Sequence, residues 1–148
     1  MHLKFNQAIN FFEKGNLNES KKLCLEILKD EPKNFDILHL LGIISFKLED
    51  YKISADLIAK AIIINPKDAE VFNNQSLVLK KLNKFEEAIE SLNQAIKIKP
   101  NFIQAYNGRG HLLAETEQLD AALENFNKAI QINPNFAEAY NNRGNILN

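Results

Sequence analysis

The sequence predicts an all-α fold, a right-handed α-solenoid of antiparallel helix pairs without a strand. Three observations carry that expectation. The four prolines, the only ones in the chain, stand at 32, 66, 100 and 134, each thirty-four residues from the next. Before each runs a segment of good helix formers whose apolar residues recur at three and four. Laid on itself at that period, the chain brings small residues into columns. Cutting after Asn34, Asp68, Phe102 and Phe136 yields repeats 1–34, 35–68, 69–102 and 103–136. The remainder, 137–148, reads as the first helix of a fifth repeat or as a capping helix, and the whole of 1–148 as one domain.

Each repeat opens on a first helix, expected at 2–14, 36–48, 69–82, 103–116 and 137–147. A second helix follows, as from Glu86 to Ile98 and from Asp120 to Ile132. It ends where Glu31, Asn65, Lys99 and Asn133 precede proline, whose ring removes a donor and drives the preceding residue out of the helical region. Between the helices, Gly15-Asn16-Leu17-Asn18 is a turn by composition. Glu49-Asp50-Tyr51, Asn83-Lys84-Phe85 and Glu117-Gln118-Leu119 carry no such signal and are placed by register. Leu17, Tyr51, Phe85 and Leu119 make an apolar column suited to stapling each pair.

Ala8, Gly42, Ser76, Gly110 and Gly144 form one small column, and Ser20, Ser54, Ala88 and Ala122 another. Side chains at the contact set the distance between packed helices, so facing small columns predict close approach. Glycine inside a helix costs about 1 kcal/mol against alanine, which makes three glycines in one column a packing requirement. A further column, Ala61, Ala95 and Ala129, is broken in the first repeat by Ile27.

These residues closely resemble the tetratricopeptide repeat (TPR) family over essentially the whole chain. The fourth repeat matches best, with Tyr106, Gly110, Leu113, Ala122, Phe126, Ala129 and Pro134 at the family's spacings; the first keeps Ala8, Phe11, Leu17 and Pro32. The family's usual tryptophan is absent, and Leu38, Phe72, Tyr106 and Tyr140 stand in its place. The resemblance implies a superhelix whose first helices line a concave, partner-binding surface.

Composition and chemistry exclude several other readings. With 148 residues, 45% hydrophobic and 25% charged, a net charge of −1 and pI near 6.3, the chain lacks the basic field that duplex binding requires. Helical-repeat RNA binding is disfavoured on the same charge and by the closing prolines. No apolar run approaches the roughly 20 residues of a membrane span, and the amino terminus is amphipathic, unlike a signal peptide; the expected location is cytoplasmic. The single Cys24 allows no internal disulfide and reads as a buried thiol. His2, His39 and His111 fall in different repeats without a second histidine at helical spacing, so no metal pair forms. Gly108-Arg109-Gly110 lies inside a helix and is no phosphate loop, and Glu86-Glu87 at a helix start is explained by the dipole. The chain is therefore read as no enzyme, with no cofactor and no metal.

The face opposite the hairpin contacts divides into two halves. The first two repeats present His2 and the apolar Phe5, Ile9, Phe12, Leu40, Ile43 and Phe46. The later ones present amides and charges: Asn73, Asn74, Lys80 and Lys81, then Asn107 and His111, then Asn141, Asn142 and Asn145. An asparagine both accepts and donates, so it pairs with a peptide backbone whatever the ligand's side chains. Asn74 and Asn142 occupy a column resembling the asparagine ladder of O-linked N-acetylglucosamine transferase, interrupted by Leu40 and Gly108, while Asn73, Asn107 and Asn141 fill the adjacent one. Sixteen lysines against two arginines, with abundant Asn and Ile, is also what AT-rich coding would give, and that competes as an explanation of the asparagines. The two-lysine clamp with which some family members hold a terminal carboxylate is not reproduced; Lys80 and Lys81 remain as anion contacts.

The expected function is a non-catalytic scaffold binding a peptide or partner segment. The alternative is a substrate-recruiting module of a larger glycosyltransferase or sulfotransferase, truncated at Asn148. Tyr140, Gly144 and Leu147 are expected to form an exposed edge, covered either by homodimerisation or by further sequence.

Overall fold

The computed structural model describes residues 2–148; Met1, the first position of the expected first repeat, and the side chain of His2 lie outside the described residues. Among the described residues there are nine helices and no strand. They are α1 His2–Glu13, α2 Leu17–Asp30, α3 Phe35–Lys47, α4 Tyr51–Ile64, α5 Ala69–Lys81, α6 Phe85–Ile98, α7 Ile103–Glu115, α8 Leu119–Ile132 and α9 Ala137–Leu147. The chain forms two compact units, Met1–Lys67 with α1 to α4 and Asp68–Asn148 with α5 to α9. In each, consecutive helices pack as antiparallel neighbours; in the second, the first helices α5, α7 and α9 also touch in sequence order.

Every hairpin closes with the same backbone device. Gly15, Glu49, Asn83 and Glu117 have φ of 76°, 64°, 58° and 61°, the left-handed region, at an unvarying register. The next residue's N–H reaches back to close the turn, Asn16 to Phe11 O, Asp50 to Ser45 O, Lys84 to Leu79 O and Gln118 to Leu113 O, at 2.8–2.9 Å. This is the Schellman arrangement, which satisfies the last carbonyls of the first helix. It also moves the apolar turn column: Leu17, Tyr51, Phe85 and Leu119 are the first residues of the second helices, one position earlier than the sequence pattern placed Glu86 and Asp120.

The second helices end as the prolines dictate. Glu31, Asn65, Lys99 and Asn133 are their C-caps, with φ between −128° and −134°, and each still donates its N–H to the carbonyl four residues back. Starts of the first helices vary more. The Asn34 side chain accepts from Ile37 N–H, and Asp68 from Glu70 and Val71 N–H. Phe102 and Phe136, in the same column, provide no side-chain cap. Phe102 is instead buried in the core with Leu92, Ala95, Ala105 and Leu112, so that repeat gives up a cap for apolar burial.

Close approach within a hairpin is visible atom by atom. A Cβ built on Gly42 would lie 2.7 Å from Ile58 Cγ1, and one on Gly110 2.7 Å from Phe126 Cε1 and 2.9 Å from its Cδ1. The column that contains these keys is Cys24, Ile58, Leu92 and Phe126, all buried. Opposite it stand Ala8, Gly42, Ser76 and Gly110, so the bulkiest partners face glycine. The second small column works differently in the two units. Ser20 and Ser54 Oγ donate to the carbonyls of Ala8 and Gly42, both at 2.7 Å, tying the pair by a buried bond where the second unit has Ala88 and Ala122. Burial raises the Cys24 thiol to about 11, so it stays a neutral packing group at ordinary pH.

Two predictions test this packing. Gly42→Ala and Gly110→Ala should each lower stability by about 1–3 kcal/mol, the usual cost of overpacking, although alanine is the better helix former. Gly144→Ala, where nothing lies within 4 Å of the added Cβ, should raise it by up to about 1 kcal/mol. In the turns, Glu49→Gly and Glu117→Gly should each add roughly 0.5–1 kcal/mol, because relief of the left-handed strain exceeds glycine's entropy cost. Urea unfolding midpoints of the five variants read both effects.

Candidate functional site

In the second unit the first helices bring the polar residues of the sequence pattern onto one face, where two clefts lie. The first, of about 280 Å³, is lined by Asn73, Ser76, Leu77 and Lys80 of α5, by Gln104, Asn107, Gly108, His111 and Leu112 of α7, and by Phe136 and Glu138. The second, of about 390 Å³, is lined by His111, Ala114 and Glu115 of α7, by Leu119 and Phe126 of α8, and by Asn142, Asn145 and Ile146 of α9. His111 is a wall of both. Its ring is exposed and stands edge-on to Phe126, centroids 6.4 Å apart, which joins the recognition face to the ring that locks Gly110.

A hydrogen-bond chain crosses α7 and α9. Asn107 Nδ2 donates to Glu138 Oε1 at 2.9 Å, and Asn142 Nδ2 donates to Asn107 Oδ1 at 3.0 Å. A carboxylate only accepts, so it fixes which end of the Asn107 amide faces it, and with that the orientation of Asn142. Asn107 is 5% exposed. Both ends of its amide are engaged, by Glu138 and Asn142, whereas the sequence pattern presented it as an open amide.

Charge on this face is largely paired. Lys80 Nζ lies 2.7 Å from Glu115 Oε1, linking α5 to α7, and Lys99 lies 3.7 Å from Glu70. Of the expected polar residues, Asn73, Lys80, Asn107 and His111 line the first cleft, and His111, Asn142 and Asn145 the second. Half-buried Asn74 and exposed Lys81 and Asn141 line neither. Sequence columns missed the apolar floor, Leu112, Phe126, Phe136 and Ile146, with Ser76 beside it, because those positions also serve the core. Among the described residues no group of three or more His, Cys, Asp or Glu could hold a metal ion, and no helix is long and apolar enough to cross a membrane.

In the first unit, Phe5, Ile9, Phe12, Leu40, Ile43 and Phe46 are all half-buried. Lys47 Nζ sits 5.6 Å from the Phe12 ring centroid, and Phe46 packs on Tyr51 at 5.6 Å. The most exposed apolar side chains of this unit are others: Leu3, Leu25, Ile53 and Ile63. On α9, Tyr140 is 41% and Leu147 67% exposed, and the space above Gly144 is open.

The model of the TPR repeat family matches residues 77–117 and 110–147. No curated protein matches the chain by sequence. Solved structures do match by fold. MamA (41-end) from Desulfovibrio magneticus RS-1 shares 21% identity over 98% of this chain and 82% of its own, with a TM-score of 0.89. YrrB, described as a TPR protein with an unusual peptide-binding site, shares 23% over 95% and 73%, at 0.87. The first TPR of Spaghetti (RPAP3), bound to the HSP90 peptide SRMEEVD, shares 24% over 76% and 90%, at 0.74. Residues 77–147 match the tetratricopeptide repeat family, and the helix pairs on a thirty-four-residue period, small columns in close contact and a closing proline continue ahead of that segment through the described repeats.

Proposed function

We propose that the chain, acting as one domain over 1–148, is a non-catalytic scaffold that binds a protein or peptide segment along the first helices of its second unit. The observation that carries this reading is the pair of clefts sharing His111, lined by amides above an apolar floor. An extended segment offers alternating backbone donors and acceptors, which amides satisfy, and side chains, which Leu77, Phe136 and Ile146 receive. The peptide-bound Spaghetti (RPAP3) structure, of the same fold, lends support. Half-buried Phe5, Ile9, Phe12, Leu40, Ile43 and Phe46 add apolar contact in the first unit. A single cysteine, which can form no internal disulfide, suits a cytoplasmic setting.

A panel of unrelated extended peptides tests the reading. Asn73→Ala and Asn142→Ala, one in each cleft, should each weaken binding across the panel by about 0.5–1.5 kcal/mol, the worth of a neutral hydrogen bond, with little dependence on salt. Loss confined to a few sequences, or a steep salt slope, would transfer recognition to ligand side chains or to Lys80 and Lys81.

We further propose a homodimer through α9. Tyr140 and Leu147 are exposed beside the open Gly144, and burying such side chains is worth about 1.5–3 kcal/mol each. A contact between two copies of one patch closes on itself. Light scattering over a concentration series should show a species of doubled mass that Leu147→Glu removes; a monomer throughout contradicts it.

A further inference from the structure

The two arginines of the chain, Arg109 and Arg143, are absent from both clefts and share a second device. Each stacks on a tyrosine three residues earlier, Arg109 Cζ 5.5 Å from the Tyr106 centroid and Arg143 Cζ 5.2 Å from that of Tyr140. Each donates Nη1 to an asparagine of the preceding second helix, Arg109 to Asn93 Oδ1 at 2.8 Å and Arg143 to Asn127 Oδ1 at 3.0 Å. Arg109 is the more firmly built. Its Nε also donates to Asn125 Oδ1 at 2.7 Å; Asn125 is itself buried and held through Nδ2 to Ala121 O. Tyr106 Oη donates to Pro100 O.

Packing does not require an arginine here. The same column holds Leu41, fully in the core, and Gln75, whose Oε1 accepts from Ser91 Oγ at 2.8 Å. A leucine or a neutral amide fills the place, yet here a cation is half-buried. Both its fixed partners are neutral amide oxygens. The ion pairs of the second unit join Lys80 to Glu115, Lys84 to Glu87 and Lys99 to Glu70, and among the described residues none reaches Arg109. Burial pulls its pKa below the usual arginine value, against the opposing pull of Tyr106 and Glu124.

A guanidinium has five N–H donors, and these bonds use two. Arg109 lines a cavity of about 690 Å³ together with Tyr106, Glu124, Asn127, Lys128 and Gln131. Two cations and one carboxylate in that wall leave an excess of one positive charge. We infer that this cavity is a second ligand site, separate from the first-helix clefts, and that it binds a single carboxylate by a two-pronged contact with the free edge of Arg109. Planar carboxylates match that edge in geometry, and Glu124 in the wall opposes a doubly charged phosphate more strongly than a monoanion. Asn127 and Gln131 offer amides to the group that carries the carboxylate.

Because the chain has two arginines, its nitrogen-15 spectrum has two Nε–Hε signals, and Arg143 serves as the internal control. The full chain is titrated with sodium acetate, with a peptide carrying one glutamate and blocked ends, with the same peptide carrying glutamine but a free carboxyl end, and with inorganic phosphate, all at ionic strength matched with sodium chloride. Acetate should move the Arg109 signal saturably and that of Arg143 no more than chloride does. The better of the two peptide arms should bind at least about tenfold more tightly than acetate and so identify a side-chain or a terminal carboxylate as the source. Arg109→Gln should abolish the response, read then on the backbone amides of Asn125 and Lys128. Glu124→Gln, which leaves Arg109 in place, should tighten acetate binding several-fold, as removal of a like charge requires. No saturable shift, equal movement of Arg143, phosphate binding more tightly than acetate, or an unchanged affinity in Glu124→Gln would each overturn the assignment.

Discussion

In each hairpin two helices meet over a residue with little or no side chain, and this close approach is the constraint on which the rest depends. Phe126 lies where the side chain of a non-glycine residue at 110 would be, and Ile58 does the same at 42. The exchange is favourable because a buried aromatic or branched side chain gains more from transfer out of water, about 1.5–3 kcal/mol, than glycine costs a helix, about 1 kcal/mol. Once ring and glycine interlock, the rotation of α7 against α8 is set, and with it which residues of α7 point outward. His111 follows Gly110 directly and touches the same ring, so the packing contact and the recognition face are adjacent links of one chain of cause.

The polar groups are organised on the same frame. Asn107 is buried and spends both ends of its amide on Glu138 and Asn142, so α9 is held to α7 by polar as well as apolar contact. On the other side Arg109 spans from Asn93 of α6 to Asn125 of α8. One first helix thus carries buried polar anchors in two directions. Such anchors fix register, because a shifted helix would leave a buried amide or guanidinium unpaired, which costs more than the bond itself contributes.

Much of the fold was legible in the sequence. Proline at an unvarying period and small residues in columns have one mechanical meaning each, and both appear where the pattern put them: pre-proline C-caps at Glu31, Asn65, Lys99 and Asn133, and filled space above Gly42 and Gly110. The turns were less legible. Glu49 and Glu117 adopt a left-handed backbone that their residue type does not announce, because closing the hairpin outweighs about 1–2 kcal/mol of local strain. The site was legible only as a face. Sequence columns say which side of a helix a residue occupies, but not that Asn107 turns inward to a carboxylate thirty-one residues away; for the apolar residues of α1 and α3 they leave open both an exposed patch and packing between first helices, and all six are half-buried. Arg109 was passed over because its neighbours Gly108 and Gly110 suggested only a failed phosphate loop; its partners Asn93 and Asn125 lie sixteen residues away on either side.

The interlock of glycine and ring is tested most directly by a double-mutant cycle between Gly110→Ala and Phe126→Leu, read by urea unfolding. Leucine removes the ring atoms that an alanine Cβ would meet at 2.7–3.0 Å. The double variant should therefore be more stable than the sum of the single losses, by about 1–2 kcal/mol of coupling. Additive losses would mean that the helices do not meet through this pair, and that their spacing, with the face it positions, is set elsewhere.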